Sequence, residues 1–224
     1  MRDEGRYVVA AVRYALLRDS LAAAGDSAGR WQAQLWWTEC LIRTGRYDSA
    51  KVSLAEEAQR AGGDQRREGW LAWLTSMLLS RLGQTDSALG AGDRARRVAE
   101  RTGDHMLEAR THSILETIHS NRGDYRAAVR DAEQYVAIER RWGRSPEQLA
   151  AALNNVGIEY QSVGRLGDAE RVYLEGLDLA RRFTSPRMAA FLHSNLSYVR
   201  EATGDRAEAA RLMLASLREA ETLA

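Results

Sequence analysis

The sequence predicts an all-α fold, a solenoid of antiparallel helix hairpins with about eleven helices. Three observations predict it. The first is a recurring pattern, a Gly followed five residues later by an Ala. It occurs as Gly5 with Ala10, Gly45 with Ala50, Gly83 with Ala88, Gly123 with Ala128, Gly164 with Ala169 and Gly204 with Ala209. The glycines lie 40, 38, 40, 41 and 40 residues apart. A fixed period in this range is the signature of stacked repeats that bury a core only with their neighbours. The second is composition: only 2 prolines among 224 residues, with abundant Ala, Leu, Arg and Glu, favour helix. The third is that Phe and β-branched residues are too sparse for several buried strands.

The stretch Leu153 to Phe183 shows how one unit works. Leu153, Val156, Gly157 and Tyr160 share one face of a first helix, and Ala169, Val172, Tyr173 and Leu177 share one face of a second. Gly164 sits where the first helix should end, because a left-handed residue is cheap without a Cβ. The Ala five residues on marks the close crossing of the two helices, where a larger side chain would cost roughly 1–3 kcal/mol.

Taken in order, the chain opens with a lone second helix at about Arg6 to Ala24. Hairpins follow at about Ser27–Ala61, Gln65–Arg101, Asp104–Trp142, Pro146–Arg182 and Pro186–Thr222. Pro146 and Pro186 each follow a Ser, an N-cap followed by a proline in the first helical position. The Arg pairs at 96–97, 140–141 and 181–182 fall near the ends of second helices, where they complement the negative terminus. The expected organisation is a single array over 1–224, with a half repeat at 1–26. Full repeats follow at about 27–63, 64–103, 104–144, 145–184 and 185–224. Because the array begins mid-hairpin and runs to Ala224 without a clearly polar capping helix, it is expected to be part of a longer protein.

Composition also excludes classes of function. The 32 basic and 31 acidic residues nearly cancel, which argues against direct nucleic-acid binding. No run of apolar residues reaches the ~18 needed for a membrane span. The N-terminus lacks the basic region and cleavage site of a signal peptide, so a cytoplasmic location is expected, unless Met1 is an added start on an excised fragment. Cys40 is the only cysteine and reads as a small apolar helix residue. No phosphate-binding loop, dinucleotide fingerprint or zinc-protease motif is present, so no catalysis, cofactor or metal is expected. His105, His112 and His119 are seven apart; on a helix that is about 10.5 Å, too far for two imidazoles to share a metal. His112 and His193 fall at the packing position. Asn195-Leu196-Ser197 fits a glycosylation sequon by chance inside a helix.

The repeat resembles the tetratricopeptide repeat (TPR). Leu153 holds the place of the family's first large residue, Val156-Gly157 its Leu-Gly pair, and Tyr160 its first aromatic. Ala169 takes the place of its central Ala and Tyr173 that of its second aromatic. The small residue recurs as Thr38, Ser76, Gly157 and Ser197, whereas Glu116 departs from it in the third full repeat. The closing proline is missing. The period near 40 is similar to the long TPRs of bacterial regulators such as MalT-like activators and Rap-type peptide sensors, and to TPR regions beside CHAT proteases. The resemblance implies a right-handed superhelix whose first helices line a concave groove that takes a peptide, partner protein or regulatory ligand.

On helix periodicity the groove residues are Asn154, Asn155, Ile158, Gln161 and Ser162 in the fourth full repeat. In the fifth they are Phe191, Ser194, Asn195, Tyr198 and Glu201, and Thr117 and Asn121 lie upstream. Asn155 and Asn195 both precede a packing residue, Val156 or Leu196. An amide can grip a peptide bond whatever its side chain, and the resemblance implies that role. Solvating the inner surface or bonding between helices is the alternative. Trp31, Trp36, Trp37, Trp70 and Trp73 crowd the first helices of the N-terminal half. Trp37 falls at the packing position. Trp36, Trp70 and Trp73 fall at or near groove positions, as partner anchors or as packing between repeats. The expected function is a non-catalytic scaffold binding a protein or peptide segment, as the sensor or docking region of a bacterial regulatory protein. A self-association module, or the regulatory part of a larger enzyme such as a CHAT protease or kinase, are the alternatives.

Overall fold

The computed structural model describes residues 2–143 and 145–222, with side chains from Gly5 onward. Expectations placed on Met1, residue 144 and Ala224 lie outside the described residues. Among the described residues the chain forms eleven helices. They are α1 (Arg2–Ala23), α2 (Ser27–Arg43), α3 (Tyr47–Ala61), α4 (Gln65–Arg81), α5 (Thr85–Thr102), α6 (His105–Arg122), α7 (Tyr125–Trp142), α8 (Pro146–Ser162), α9 (Leu166–Arg182), α10 (Pro186–Ala202) and α11 (Arg206–Glu221). The all-α solenoid of helix hairpins is therefore as the sequence predicts.

The turn inside each hairpin has the expected cause. Gly164 has a φ of 76°. Its N–H bonds the Gln161 carbonyl at 3.0 Å, and the Arg165 N–H bonds the Tyr160 carbonyl at 2.8 Å. This pair of bonds satisfies carbonyls that the helix end would otherwise leave open. Gly45, Gly83, Gly123 and Gly204 adopt the same left-handed conformation. Gly5 does not: it lies inside α1, which starts at Arg2, so it caps no helix. The Ala five residues on is fully buried at Ala50, Ala88, Ala128 and Ala169, but only partly at Ala10 and Ala209.

Helix starts differ in one respect from expectation. Ser145 and Ser185 stand at the N-cap with proline following, but neither hydroxyl makes a capping bond. Side-chain caps come instead from Asp26, Asp64, Asp124 and Asp205, whose carboxylates accept the first-turn N–H groups.

The chain divides into two compact units, residues 1–107 and 108–224. In the first, α1 packs on α2 and α4 on α5, and α2 also meets α4. Its core holds Leu41, Ile42, Trp73, Leu74 and Leu107. In the second, α8 packs on α9 and α10 on α11, and α8 meets α10. Its core gathers Leu153, Val156, Tyr160, Val172, Tyr173, Leu177, Leu192 and Leu196. Gly157 makes this packing possible: a Cβ there would lie 2.6 Å from Tyr173 Cζ.

Candidate functional site

The candidate residues of the second unit stand on three first helices. Asn154, Asn155, Ile158, Gln161 and Ser162 follow one face of α8, and Ser194, Asn195 and Tyr198 follow one face of α10. Thr117 and Asn121 lie on α6. Two polar bridges join these helices. Asn195 Nδ2 donates to Asn154 Oδ1 at 2.8 Å, between α10 and α8. Asn155 Nδ2 donates to Glu116 Oε2 at 3.4 Å, between α8 and α6. Asn155 and Asn195 thus each spend an amide nitrogen on a neighbouring helix. Their carbonyl oxygens take no partner among the described residues.

Apolar surface flanks the amides. Ile158, Phe191 and Tyr198 are 40%, 50% and 55% exposed, large side chains left uncovered beside a polar bridge. Several other candidates spend a polar group within the chain. The Gln161 side-chain oxygen accepts from the Tyr173 hydroxyl at 2.6 Å, so it holds a core ring in place. Ser162 and Thr117 donate back to the carbonyls of Ile158 and Ser113, at 3.1 and 3.0 Å. Ser194 is half-buried and its carbonyl accepts from the Ser197 hydroxyl at 2.7 Å, while Asn121 is exposed.

The first unit corrects the expectation of open aromatic anchors. Trp70 and Trp73 are 7% and 2% exposed. Trp70 meets Trp36 and Trp73 edge-to-face, each with ring centroids 5.6 Å apart, a favoured aromatic geometry. Its indole N–H donates to Asp104 at 3.1 Å. The rings pack within the unit, the second of the two readings the sequence left open. Trp37, expected at a packing position, is half-buried with the Arg18 guanidinium 4.8 Å over its ring.

Sequence reasoning missed the buried charged groups. Glu57, 2% exposed, accepts two bonds of 3.0 Å from Arg30 and one of 2.6 Å from Arg60. Burial would raise its pKa, but the two guanidinium groups outweigh it and hold the carboxyl below the usual range. Asp104 behaves alike: burial is outweighed by bonds from Arg66, the Leu107 N–H and Trp70. In the second unit the balance reverses. Glu116 is pushed up to about 8 by burial, with the Glu159 carboxyl adding to it. Burial also raises Glu139, against the opposing charge of Arg110. The signal that could have found Glu159 is its place: Cys40, Leu78, Ile118 and Val199 are buried at the matching position of other repeats.

The histidines keep structural places. His112 is buried, with Nδ1 2.8 Å from Asp131, and His119 reaches the same carboxylate at 3.6 Å. His193 pairs with Glu219 at 2.8 Å. Among the described residues no three metal-ligating side chains gather. Cys40 is buried, and that burial, with the Glu39 charge adding and Arg43 opposing, pushes its thiol up to about 11. No described helix is long and apolar enough to cross a membrane.

Comparison with known proteins agrees with this architecture. Residues 149–182 match the family model for the tetratricopeptide repeat. No curated protein matches the chain by sequence. Among solved structures, BtubC (BKLC) from P. vanneervenii superposes with a TM-score of 0.80 at 18% identity, over 98% of this chain and 92% of that one. A Signal Transduction ATPase with Numerous Domains (STAND) protein with a tetratricopeptide repeat sensor, from Pyrococcus horikoshii, gives 0.77 at 14% identity. That match covers 87% of this chain and 30% of the other. The apo form of RapI gives 0.75 at 13% identity, over 86% of this chain and 70% of that chain. The resemblance read from the sequence holds: the chain carries a tetratricopeptide repeat at 149–182 and has the fold of tetratricopeptide-repeat proteins.

Proposed function

We propose that the chain is a non-catalytic scaffold that binds an extended peptide or protein segment along the first helices α6, α8 and α10. The observation that carries this reading is the pairing of chemistries on that face. The Asn154–Asn195 bridge at 2.8 Å, with the Asn195 amide oxygen still open, lies on the helix faces that carry exposed Ile158 and Tyr198. An extended chain needs both a partner for its peptide groups and apolar surface for alternate side chains. The ligand chemistry is apolar or amphipathic, since the exposed side chains of this face are mostly uncharged.

The repeats form one array, a half repeat at 1–26 and full repeats at 27–63, 64–103, 104–144, 145–184 and 185–224, within a longer bacterial regulatory protein of the cytoplasm. There the array serves as sensor or docking region. The fold match to a STAND protein with a tetratricopeptide repeat sensor supports that reading by analogy.

The test is selection of binders from a random peptide library against the immobilised chain, followed by affinity measurement on the wild type and on Asn155→Ala/Asn195→Ala. The double variant is expected to bind the selected peptide at least about tenfold more weakly, the scale of one to two lost hydrogen bonds. Equal affinity would remove the amides from the site.

One observation favours a second reading, self-association. Val8, Val9, Val12, Leu16 and Leu17 of α1 are 47–67% exposed and form an apolar strip. Light scattering over a concentration series tests it; a monomer throughout counts against it.

A further inference from the structure

Two carboxyls from successive first helices meet in the interior of the second unit. Glu116 of α6 is 6% exposed and Glu159 of α8 is 2% exposed. Asn155, one turn before Glu159 on the same face of α8, donates to Glu116 Oε2 at 3.4 Å, which sets the two acids side by side. Two ionised carboxylates cannot share such a place, because each disfavours the charge of the other and burial disfavours both. The pair therefore holds a proton, and the contact between α6 and α8 depends on it. We propose that the Glu116–Glu159 pair is a pH-sensitive latch, closed while it carries one proton and loosened when both carboxyls ionise.

The groups that act most strongly on Glu116 are neutral or acidic. From α6 itself, Thr117 reaches Glu116 Oε2 at 3.5 Å. From α8, Asn155 donates to the same oxygen at 3.4 Å. From α7, Tyr135 faces Glu116; burial, then the charge of Glu139, pushes its hydroxyl up to about 12 against the pull of Arg110. From α9, Tyr173 faces Glu159, and burial and that charge raise its hydroxyl as well. From α10 the contact to α8 is the neutral Asn195. Burial, Glu159, Asn155 and Thr117 dominate at Glu116, and none of them brings a positive charge. Glu159 Oε2 is buried without a hydrogen-bond partner, so a second negative charge would meet no compensation.

The sequence supports a device particular to this place. Glu116 stands where other repeats have Thr38, Ser76, Gly157 or Ser197. Glu159 stands where they have Cys40, Leu78, Ile118 or Val199. Each departure alone would bury an acid without a partner; together they supply one for each other. The latch also touches the proposed peptide face, since Asn155 spends its amide nitrogen on Glu116. The latch itself does not rest on that face binding anything.

The sign follows from linkage. The pKa of Glu116 is raised in the folded chain, so its stabilisation is fully present below the unfolded value of 4.5 and is lost as pH rises through about 8. Hydrogen exchange of the full chain, corrected for intrinsic rates, reads this directly at pH 6 and pH 9. Protection of α6 and α8 is expected to fall roughly tenfold or more relative to α2 and α4. In Glu116→Gln, and independently in Glu159→Gln should the first fail to fold, the ratio is expected to stay within about twofold, because no second charge can form. A wild-type ratio that does not change with pH, or a fall that persists in the variants, overturns the latch. Peptide affinity is not part of this readout, so the latch and the binding face fail separately.

Discussion

Replacing Gly157 by Ala tests the packing at the centre of the second unit. The added methyl would sit 2.6 Å from Tyr173 Cζ and 2.8 Å from Cδ1. Carbon atoms rest about 3.5–4.0 Å apart, so the ring would have to retreat by roughly an ångström. It has little freedom to do so, being 0% exposed with its hydroxyl held by Gln161 at 2.6 Å. Overpacking of this kind costs about 1–3 kcal/mol, while Ala gains roughly 1 kcal/mol over Gly in a helix interior. With the ring so confined the overpacking falls at about 2–3 kcal/mol, so the net expectation is a loss of about 1–2 kcal/mol. Gly90 is the matched control: it is also inside a helix, but its nearest neighbour would be the flexible Arg94 Nη1 at 3.9 Å. There the helix gain stands alone, and Gly90→Ala should stabilise by about 0.5–1 kcal/mol. Urea unfolding followed by circular dichroism reads both. With a slope of about 2 kcal/mol per molar, Gly157→Ala should lower the midpoint by roughly 0.5–1 M and Gly90→Ala should raise it. The same upward shift in both variants would refute the close contact.

Three further outcomes are expected. Thr184 holds a φ of 49°, a conformation that costs a β-branched residue about 1–2 kcal/mol. Thr184→Gly should therefore raise the melting temperature, by up to about 1 kcal/mol of stability once the added chain entropy is counted. Glu57 and Asp104 have lowered pKa values in the folded chain, so their contribution is present above the unfolded carboxyl range and lost as pH falls through and below about 4. Trp142 lies in the second unit, and the other five of the six tryptophans, Trp31, Trp36, Trp37, Trp70 and Trp73, lie in the first. Tryptophan fluorescence during urea unfolding at pH 6 and pH 3.5 should therefore show that unit losing stability on acidification, and the loss should shrink in Glu57→Gln. Cys40, buried with its thiol raised to about 11, should resist a thiol reagent at pH 8 in the folded chain and react fully in denaturant. Rapid reaction without denaturant would place it at an open surface.

The helices were legible because a hairpin states its ends locally. A Gly that must turn left-handed and an Ala that must let two helices cross recur every 38 to 41 residues. Helical spacing also placed the candidate asparagines on shared faces. What the sequence did not reveal was how side chains on neighbouring helices use one another. Trp70 lies at a groove register by periodicity, yet its indole N–H turns to Asp104, 34 residues away. Asn155 looked like an open amide, yet it reaches Glu116, 39 residues away. Gln161 is spent on Tyr173. Periodicity fixes the direction of a Cβ, not the partner of a polar tip. Partners from successive repeats appear only once the hairpins are stacked.

The peptide-binding face is tested most directly by mapping a selected peptide on the isotope-labelled chain by NMR, reading the side-chain amide signals of Asn154, Asn155 and Asn195. These signals, with the backbone of α8 and α10 around Ile158 and Tyr198, are expected to shift most on titration. Shifts confined to the second helices α7, α9 and α11, with the three amides unmoved, would contradict the assignment of binding to the first-helix face.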